Sequence, residues 1–300
     1  MPSLPVVLAV FGPTAVGKTA LALAVADRLR AEGEDPVAVS ADALQLYAGL
    51  ETLTGAATPA ERARLEHRML GVLPVTASAT AGAYARAAHA EIDDLIAAGR
   101  RPIVVGGTGL YLRAALADLD LRPPPEPGVR TALLERLARV GPATLHSELE
   151  RNEPEAAGRI AATDGRRIVR ALETLATGGA LPAAGQLWTR ETRRPTRLVG
   201  LVRDREELRT RIDARVDAMV AAGAKAEVRR AVAAGASSSA RQALGFEELL
   251  RDDVDAMKRR TRAYARRQLT WMRKLEAVHL IDLTATDPDA TAEAIVGMIR

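Results

Sequence analysis

The stretch "FGPTAVGKTALALAVADRL" (residues 11–29) decides the fold, because it joins an apolar run to a helical pattern through a glycine-rich turn. Its spacing, Gly12-x-x-x-x-Gly17-Lys18-Thr19, is the P-loop pattern. In a P-loop, backbone N–H groups cradle phosphates, the lysine reaches the outer phosphate and the hydroxyl can ligate Mg²⁺. Lys18 is the only lysine in the first 224 residues, which argues against a plain glycine-rich turn. The pattern predicts a site for a di- or triphosphate. It does not show whether the phosphate is transferred to an acceptor or released as a leaving group.

Strand and helix patterns alternate around this loop. Apolar runs at 4–11, 36–40, 102–105, 196–204 and 277–283 predict strands, and the segments between them predict helices. This alternation is typical of an α/β doubly wound parallel sheet. Residues 122–195 interrupt it, since a proline-rich linker (122–128) is followed only by helical patterns. We therefore predict a core domain from residues 1–121 and 196–300, with residues 122–195 as an inserted all-helical subdomain.

Composition narrows the class of protein. The chain has no cysteine, which excludes disulfides and thiolate metal sites, and its four histidines lack metal-ligand spacing. No apolar run is long enough to span a bilayer, and the start has no basic region ahead of an apolar core, so we expect a cytoplasmic protein without a membrane partner. The net charge is only +4, but basic residues cluster in the C-terminal half, which favours an anionic partner.

Two further motifs follow predicted strands. Asp42 lies just beyond the second strand, at the edge where open α/β sheets bind ligands, so it is a candidate proton acceptor. The alternative is that it only caps the turn that follows. "GGTG" (106–109) lets the backbone approach a ligand closely, or is a simple turn. The strand before it ends without an aspartate, so a Walker-B metal ligand is not visible there.

Arginine clusters form the last signal. One cluster is Arg166, Arg167 and Arg170. The stretch 258–274 adds eight basic residues, and a helical projection separates an arginine face (Arg259, Arg262, Arg266, Arg273) from a packing face (Met257, Thr261, Tyr264, Gln268, Trp271, Leu275). Arginine pairs with phosphate and stacks on bases, although such a row can also be a solvated helix face.

The residues alone leave three classes open. The first is a kinase that uses ATP and Asp42 as a base on an acceptor hydroxyl. The second is an RNA-modifying transferase with a phosphorylated donor. The third is a non-catalytic P-loop regulator, which would not need Asp42.

Six stretches, in order along the chain, together resemble the tRNA dimethylallyltransferase (isopentenyl-tRNA transferase) family. They are "FGPTAVGKTALAL", "SADALQLYAGL", "GRRPIVVGGTGLYLRAAL", "DGRRIVRALE", "ALGFEEL" and "TRAYARRQLTWMRKL". The resemblance implies a P-loop kinase-like core with a helical tRNA-binding insertion. It also implies that a monomer transfers the prenyl group of dimethylallyl pyrophosphate to the exocyclic amine of the tRNA adenosine 3′ of the anticodon, in the anticodon stem-loop. The phosphate held would then be the leaving pyrophosphate, although the loop often leads to such proteins being described as ATP- and nucleotide-binding.

The resemblance also implies roles for particular residues. Asp42 would take the proton of the amine, with Lys18 and Thr108 as further catalytic residues, and Thr19 would ligate Mg²⁺. The residues implied at the donor pyrophosphate are Gly12, Thr14, Ala15, Val16, Gly17, Lys18 and Thr19. Those implied at the tRNA are Asp42, Ala43, Leu44, Gln45, Thr108, Arg130, Arg166, Arg167, Arg170, Arg241, Phe246, Arg262, Arg266 and Arg273. The family usually has a serine where this chain has Ala43 and a lysine where it has Ala56.

Overall fold

A parallel β-sheet forms the centre of the computed structural model, which describes residues 6–121, 127–181, 185–284, 286 and 288–300. The strands are β1 (Val7–Phe11), β2 (Pro36–Ser40), β3 (His67–Arg68), β4 (Arg101–Gly106), β5 (Thr196–Val202) and β6 (His279–Asp282). Their order in the sheet is β3-β2-β4-β1-β5-β6, and every pairing is parallel. This arrangement confirms the predicted doubly wound α/β fold.

Helices separate the strands. In the first part of the chain they are α1 (Lys18–Ala31), α2 (Glu51–Thr54), α3 (Pro59–Arg64), α4 (Ala81–Ala97) and α5 (Gly109–Leu116). The next are α6 (Pro127–Asn152), which is broken at Gly141, α7 (Pro154–Ala157) and α8 (Gly165–Ala176). After β5 come α9 (Arg205–Ala221), α10 (Ala224–Ala233), a short 3₁₀ turn (Ala240–Gln242), α11 (Phe246–Leu250), α12 (Val254–Met272) and α13 (Pro288–Ile299). No helix in the described ranges is long and apolar enough to cross a membrane.

The central strands are buried on both faces. Every residue of β1 and β2 is buried, as expected when helices cover both sides of a parallel sheet. Leu8, on β1, packs with Leu21 of α1 and Ile295 of α13 in the main core. Because apolar strands of this kind need helices on both faces, the sequence pattern alone indicated the layered architecture.

The chain divides into two compact units. One draws on residues 1–119 and 187–300, and the other on residues 120–186. The predicted insertion ended at residue 195, but residues 187–195 pack on the core unit. Arg193 and Arg194 both pair with Asp93 of α4, at 3.0 and 2.9 Å. The predicted linker at 122–128 falls mostly outside the described residues, and α6 already begins at Pro127.

The smaller unit is helical and has its own core. Leu133, Leu145, Leu149, Ile168 and Leu172 are buried together between α6 and α8. Since these side chains recur at helical spacing, they explain why the predicted helical patterns hold in this unit.

Candidate active site

The P-loop connects β1 to α1. Gly17 has φ +117°, a left-handed conformation that favours glycine, and α1 begins directly after it at Lys18. No side chain caps the first turn of this 14-residue helix, and no acidic residue lies in that turn. The uncapped N–H groups and the positive end of the helix dipole therefore favour an anion at the start of α1.

Lys18 folds back onto the loop. Its Nζ donates to the carbonyl oxygens of Gly12 and Pro13, both at 2.9 Å. Burial lowers the pKa of Lys18 to about 8, while the negative charge of Asp42 opposes this shift and Arg215 adds to it. A phosphate placed near the ammonium would favour the protonated form, so the lysine is poised to bind an anion.

Asp42 lies just past the end of β2 and is half-buried. Its Oδ1 accepts the N–H of Leu44 at 3.0 Å, which is the local turn that the alternative interpretation required. This bond occupies one carboxylate oxygen, and the charge of Asp42 still raises the pKa of Lys18 and adds to the burial that raises the pKa of Tyr264. The carboxylate therefore stabilises its own turn, and its charge also acts on the P-loop lysine.

The glycines of 106–109 allow parts of this chain to approach one another. A Cβ on Gly106 would overlap the carbonyl of Ala41, one on Gly107 would overlap the Gln268 amide, and one on Gly109 would overlap the Trp271 ring. The motif predicted that the backbone would approach a ligand closely. In the structure, the groups that lie against these glycines are residues of the protein itself.

Thr108 connects this loop to the turn after Asp42 and to α12. Its Oγ1 accepts the N–H of Ala43 at 3.4 Å and lies 3.2 Å from the hydroxyl of Tyr264. The structure thereby brings together the loops that carry three predicted catalytic residues, Lys18, Asp42 and Thr108, at the carboxyl edge of the sheet.

Arginines of α9 surround the P-loop, and sequence reasoning missed them. Arg211 Nε donates to the Ala15 carbonyl at 3.0 Å, and Arg203 Nε, just before α9, lies 3.4 Å from the Val16 carbonyl. Both follow β5, whose carboxyl end meets the same edge of the sheet, and that position was the available signal.

Arg215 reaches the loop that holds Ala56. Its Nη2 donates to the Gly55 carbonyl at 2.8 Å, and its Nε is a buried donor without a partner among the described residues. Burial lowers the pKa of Arg215, and Asp42 opposes that shift. The guanidinium of Arg215 therefore lies beside Ala56, the position at which the family usually has a lysine.

The residues after Asp42 form a structured turn. The amide Oε1 of Gln45 accepts the hydroxyl of Ser40 at 3.1 Å, and its Nε2 lies 3.4 Å from the Gly55 carbonyl. Leu44 packs against the core cluster that includes Tyr47. These contacts fix the predicted base-binding turn next to the catalytic edge.

Several predicted tRNA contacts are engaged within the core unit. Phe246 is fully buried in the core, so its side chain is not available to a ligand and that prediction is corrected. Arg241 pairs with Glu247 at 2.8 Å. Arg262 pairs with Asp213 at 2.7 Å, because α9 packs against α12. Arg266 and Arg273 are exposed, with no ion pair found for either among the described residues.

The arginines of the helical unit are also paired. Arg130 and Arg170 both contact Glu173, a fully buried carboxylate, at 3.2 and 3.3 Å. Arg167 lies 3.4 Å from Asp164, and Arg166 is exposed. Buried Glu173 thus holds part of this cluster for structural reasons, which the sequence pattern did not indicate.

This fold and site define a P-loop protein in which the loop after β1 and the carboxylate of Asp42 after β2 lie at the same edge of the sheet. The family model described as IPP transferase matches residues 45–275. The chain is 44% identical over 302 residues to a tRNA dimethylallyltransferase from Thermobifida fusca, covering 97% of this chain and 94% of that relative. It is 40% identical over 311 residues to one from Kineococcus radiotolerans, covering 99% and 97%. The chain belongs to the IPP transferase family.

A solved structure agrees with this assignment. The full-length tRNA isopentenylpyrophosphate transferase from Bacillus halodurans superposes with a TM-score of 0.71 at 29% identity, covering 98% of this chain and 95% of that one. The likeness extends over both units of the chain, so the helical segment belongs to the shared fold.

Proposed function

We propose that this protein transfers the dimethylallyl group of dimethylallyl pyrophosphate to the exocyclic amine of an adenosine in tRNA, the one 3′ of the anticodon. Membership of the IPP transferase family and the names of its relatives support prenyl transfer to tRNA as the reaction. The observation that carries the mechanism is the position of Asp42 after β2, at the same edge of the sheet as the P-loop after β1. A leaving-group site and a proton acceptor therefore share one edge of the sheet.

The pyrophosphate is the leaving group in this proposal. The bond between the allylic carbon and the pyrophosphate oxygen breaks, and a bond from that carbon to the adenine nitrogen forms. Negative charge then develops on the pyrophosphate. Lys18 and the N–H groups at the start of α1 lie where they neutralise it, and the arginines of α9 add positive potential around the loop.

Thr19 is the residue proposed to hold Mg²⁺. It is half-buried in the first turn of α1, and the described ranges contain no cluster of three or more His, Asp or Glu side chains that could hold a metal. One hydroxyl fits an ion that takes its other ligands from pyrophosphate and water, as Mg²⁺ commonly does. When bound, the ion would supply charge neutralisation to the leaving group.

Asp42 is proposed to accept the proton of the amine. The lone pair of that amine is delocalised into the adenine ring, so removal of a proton makes attack easier. The base must leave the stacked anticodon loop to reach the site, and the turn formed by Ala43, Leu44 and Gln45 would contact it. Arg266 and Arg273 are the exposed cations proposed to meet the tRNA phosphates.

Mass spectrometry of nucleosides tests this function. Purified protein is incubated with tRNA and dimethylallyl pyrophosphate, and the tRNA is digested. We expect an adenosine that has gained one C₅H₈ unit, and none when ATP replaces the donor. Mass spectrometry of ribonuclease fragments of the same tRNA should place this adenosine 3′ of the anticodon. Consumption of ATP with phosphorylation of an acceptor, and no prenylated nucleoside, would instead establish a kinase.

A further inference from the structure

Gln268 of α12 joins two loops of the site. Its side chain is buried, with 4% of the residue exposed. Its Oε1 accepts the N–H of Thr14 in the P-loop at 2.8 Å, and its Nε2 donates to the carbonyl of Gly107 at 2.7 Å. The oxygen and the nitrogen of this amide therefore join the P-loop to the Gly106–Gly109 loop, which lies far from it in the sequence.

The two loops leave paired strands, because Phe11 of β1 pairs with Gly106 of β4. Beyond that pair, the side chain of Gln268 bonds to both loops. A Cβ on Gly107 would come within 3.3 Å of the Gly12 carbonyl, which shows how near the loops lie. The amide of Gln268 stands between them. A primary amide can donate and accept at once, which the bridge between an N–H and a carbonyl requires.

Tyr264 extends the same contact one turn earlier on α12. Its hydroxyl lies 3.2 Å from Thr108 Oγ1 and 3.4 Å from the Gly107 carbonyl. Thr108 in turn accepts the N–H of Ala43, the neighbour of Asp42. One face of α12 thus contacts the P-loop and the Gly106–Gly109 loop, and Thr108 of the latter loop contacts the turn after Asp42.

We infer that Gln268 is a positioning residue, which sets the separation between the P-loop and the Gly106–Gly109 loop and thereby aligns the allylic carbon with the amine. This inference rests on the proposed function. Transfer needs the reacting atoms about 3–3.5 Å apart, and a misplacement of about 1 Å can cost on the order of 10²-fold in rate. Gln268 acts through Thr14 and Gly107, so its effect falls on alignment.

Gln268→Met is the test variant. Methionine has a similar length and volume and keeps the helix, but it makes neither bond. The matched control is Thr261→Val, which removes a buried hydroxyl on the same helix that donates to the Met257 carbonyl at 2.7 Å. The control removes a buried hydrogen bond without contacting either loop. It therefore reports how much the loss of any buried hydrogen bond in α12 changes the rate and the stability.

Three measurements are compared between these variants and the parent protein. They are the single-turnover rate of prenylation at saturating donor, tRNA affinity without donor, and hydrogen exchange of peptides covering residues 12–17 and 106–109. For Gln268→Met we expect a rate lower by about 10–100-fold, unchanged tRNA affinity and faster exchange in both peptides. For Thr261→Val we expect parental rate and exchange, whatever its melting temperature.

The outcomes separate the two proposals. A parent protein that prenylates no tRNA refutes the proposed function. An active parent with a folded Gln268→Met variant of similar rate refutes the positioning role, and so does an equal loss of rate in Thr261→Val. If Gln268→Met does not fold, Gln268→Asn replaces it, since its amide is one methylene shorter and cannot reach both loops. The same loss of rate and the same faster exchange are expected, and a parental rate refutes the inference.

Discussion

Replacing Asp42 by asparagine separates its two possible roles. The carboxylate accepts the Leu44 N–H at 3.0 Å, and the carbonyl oxygen of an asparagine can accept the same bond. The turn and the packing around it should therefore persist. What asparagine cannot do is take a proton from the adenine amine. Loss of a general base typically lowers the rate by about 10²–10⁴-fold, so we expect a fall of that size in turnover.

The charge of Asp42 adds a second, smaller effect. Asp42 raises the pKa of Lys18, which burial holds at about 8. Without that carboxylate the pKa of Lys18 falls further, so a larger fraction of the lysine is neutral at pH 8 and donor binding weakens there. At pH 7 most of the lysine stays protonated unless the pKa falls by more than about one unit. The rate loss measured at pH 7 with saturating donor thus reports the base.

The assay is single-turnover prenylation of tRNA, with donor and tRNA affinities measured alongside. Asp253→Asn is the matched control, because Asp253 caps α12 by accepting the Ala256 N–H at 2.7 Å and asparagine caps about as well as aspartate. We expect the control to keep the parental rate. An Asp42→Asn rate within a few-fold of the parent would remove Asp42 from the mechanism and leave it a structural turn residue.

Three further predictions concern the cations. Lys18→Ala should keep the fold, checked by circular dichroism, and lose about 3–4 kcal/mol of transition-state stabilisation in kcat/KM for the donor. In the parent, kcat/KM for the donor should fall about tenfold per pH unit above the pKa of Lys18, near pH 8, because the deprotonated lysine no longer attracts pyrophosphate. A kcat/KM that stays flat from pH 7 to pH 9 would contradict this role. Reversing Arg266 and Arg273 to glutamate should weaken tRNA binding and flatten the plot of log affinity against log salt by about 0.7–0.9 for each phosphate that the protein no longer neutralises. Unchanged affinity would mean that these arginines form a solvent-exposed helix face with no role in tRNA binding.

Local pattern was enough to predict the sheet and the edge at which the P-loop and Asp42 lie. β1, the P-loop and Asp42 could be predicted because a buried strand, a loop and a helix are neighbours in sequence, and parallel strands end at one edge. The short strand β3 was missed, since two residues paired to β2 carry no periodic signal.

Contacts between distant elements could not be predicted. Arg262 was placed on the RNA-facing row by helical projection, yet it pairs with Asp213 of α9, 49 residues earlier. A projection describes one helix and carries no information on the partner that packs against it. Gln268 was predicted to lie on the packing face, which is correct, but its bonds to Thr14 and Gly107 depend on how α12 lies across two loops.

The order of the strands explains how one edge can serve both halves of a transfer. The P-loop follows β1, Thr108 follows β4 and Asp42 follows β2, and these strands are consecutive neighbours in the sheet. Adjacent strands lie about 4.8 Å apart, so the chain ends of β1 and β2 are separated by roughly 10 Å, with the β4 loop between them. In the proposed reaction, the pyrophosphate would lie over the P-loop, the allylic carbon beside the β4 loop and the amine at Asp42. The strand β4 ends at Gly106 and carries no carboxylate there, whereas a phosphoryl-transfer site of the Walker type would need an aspartate at that position. The geometry therefore favours release of the phosphate group over its transfer.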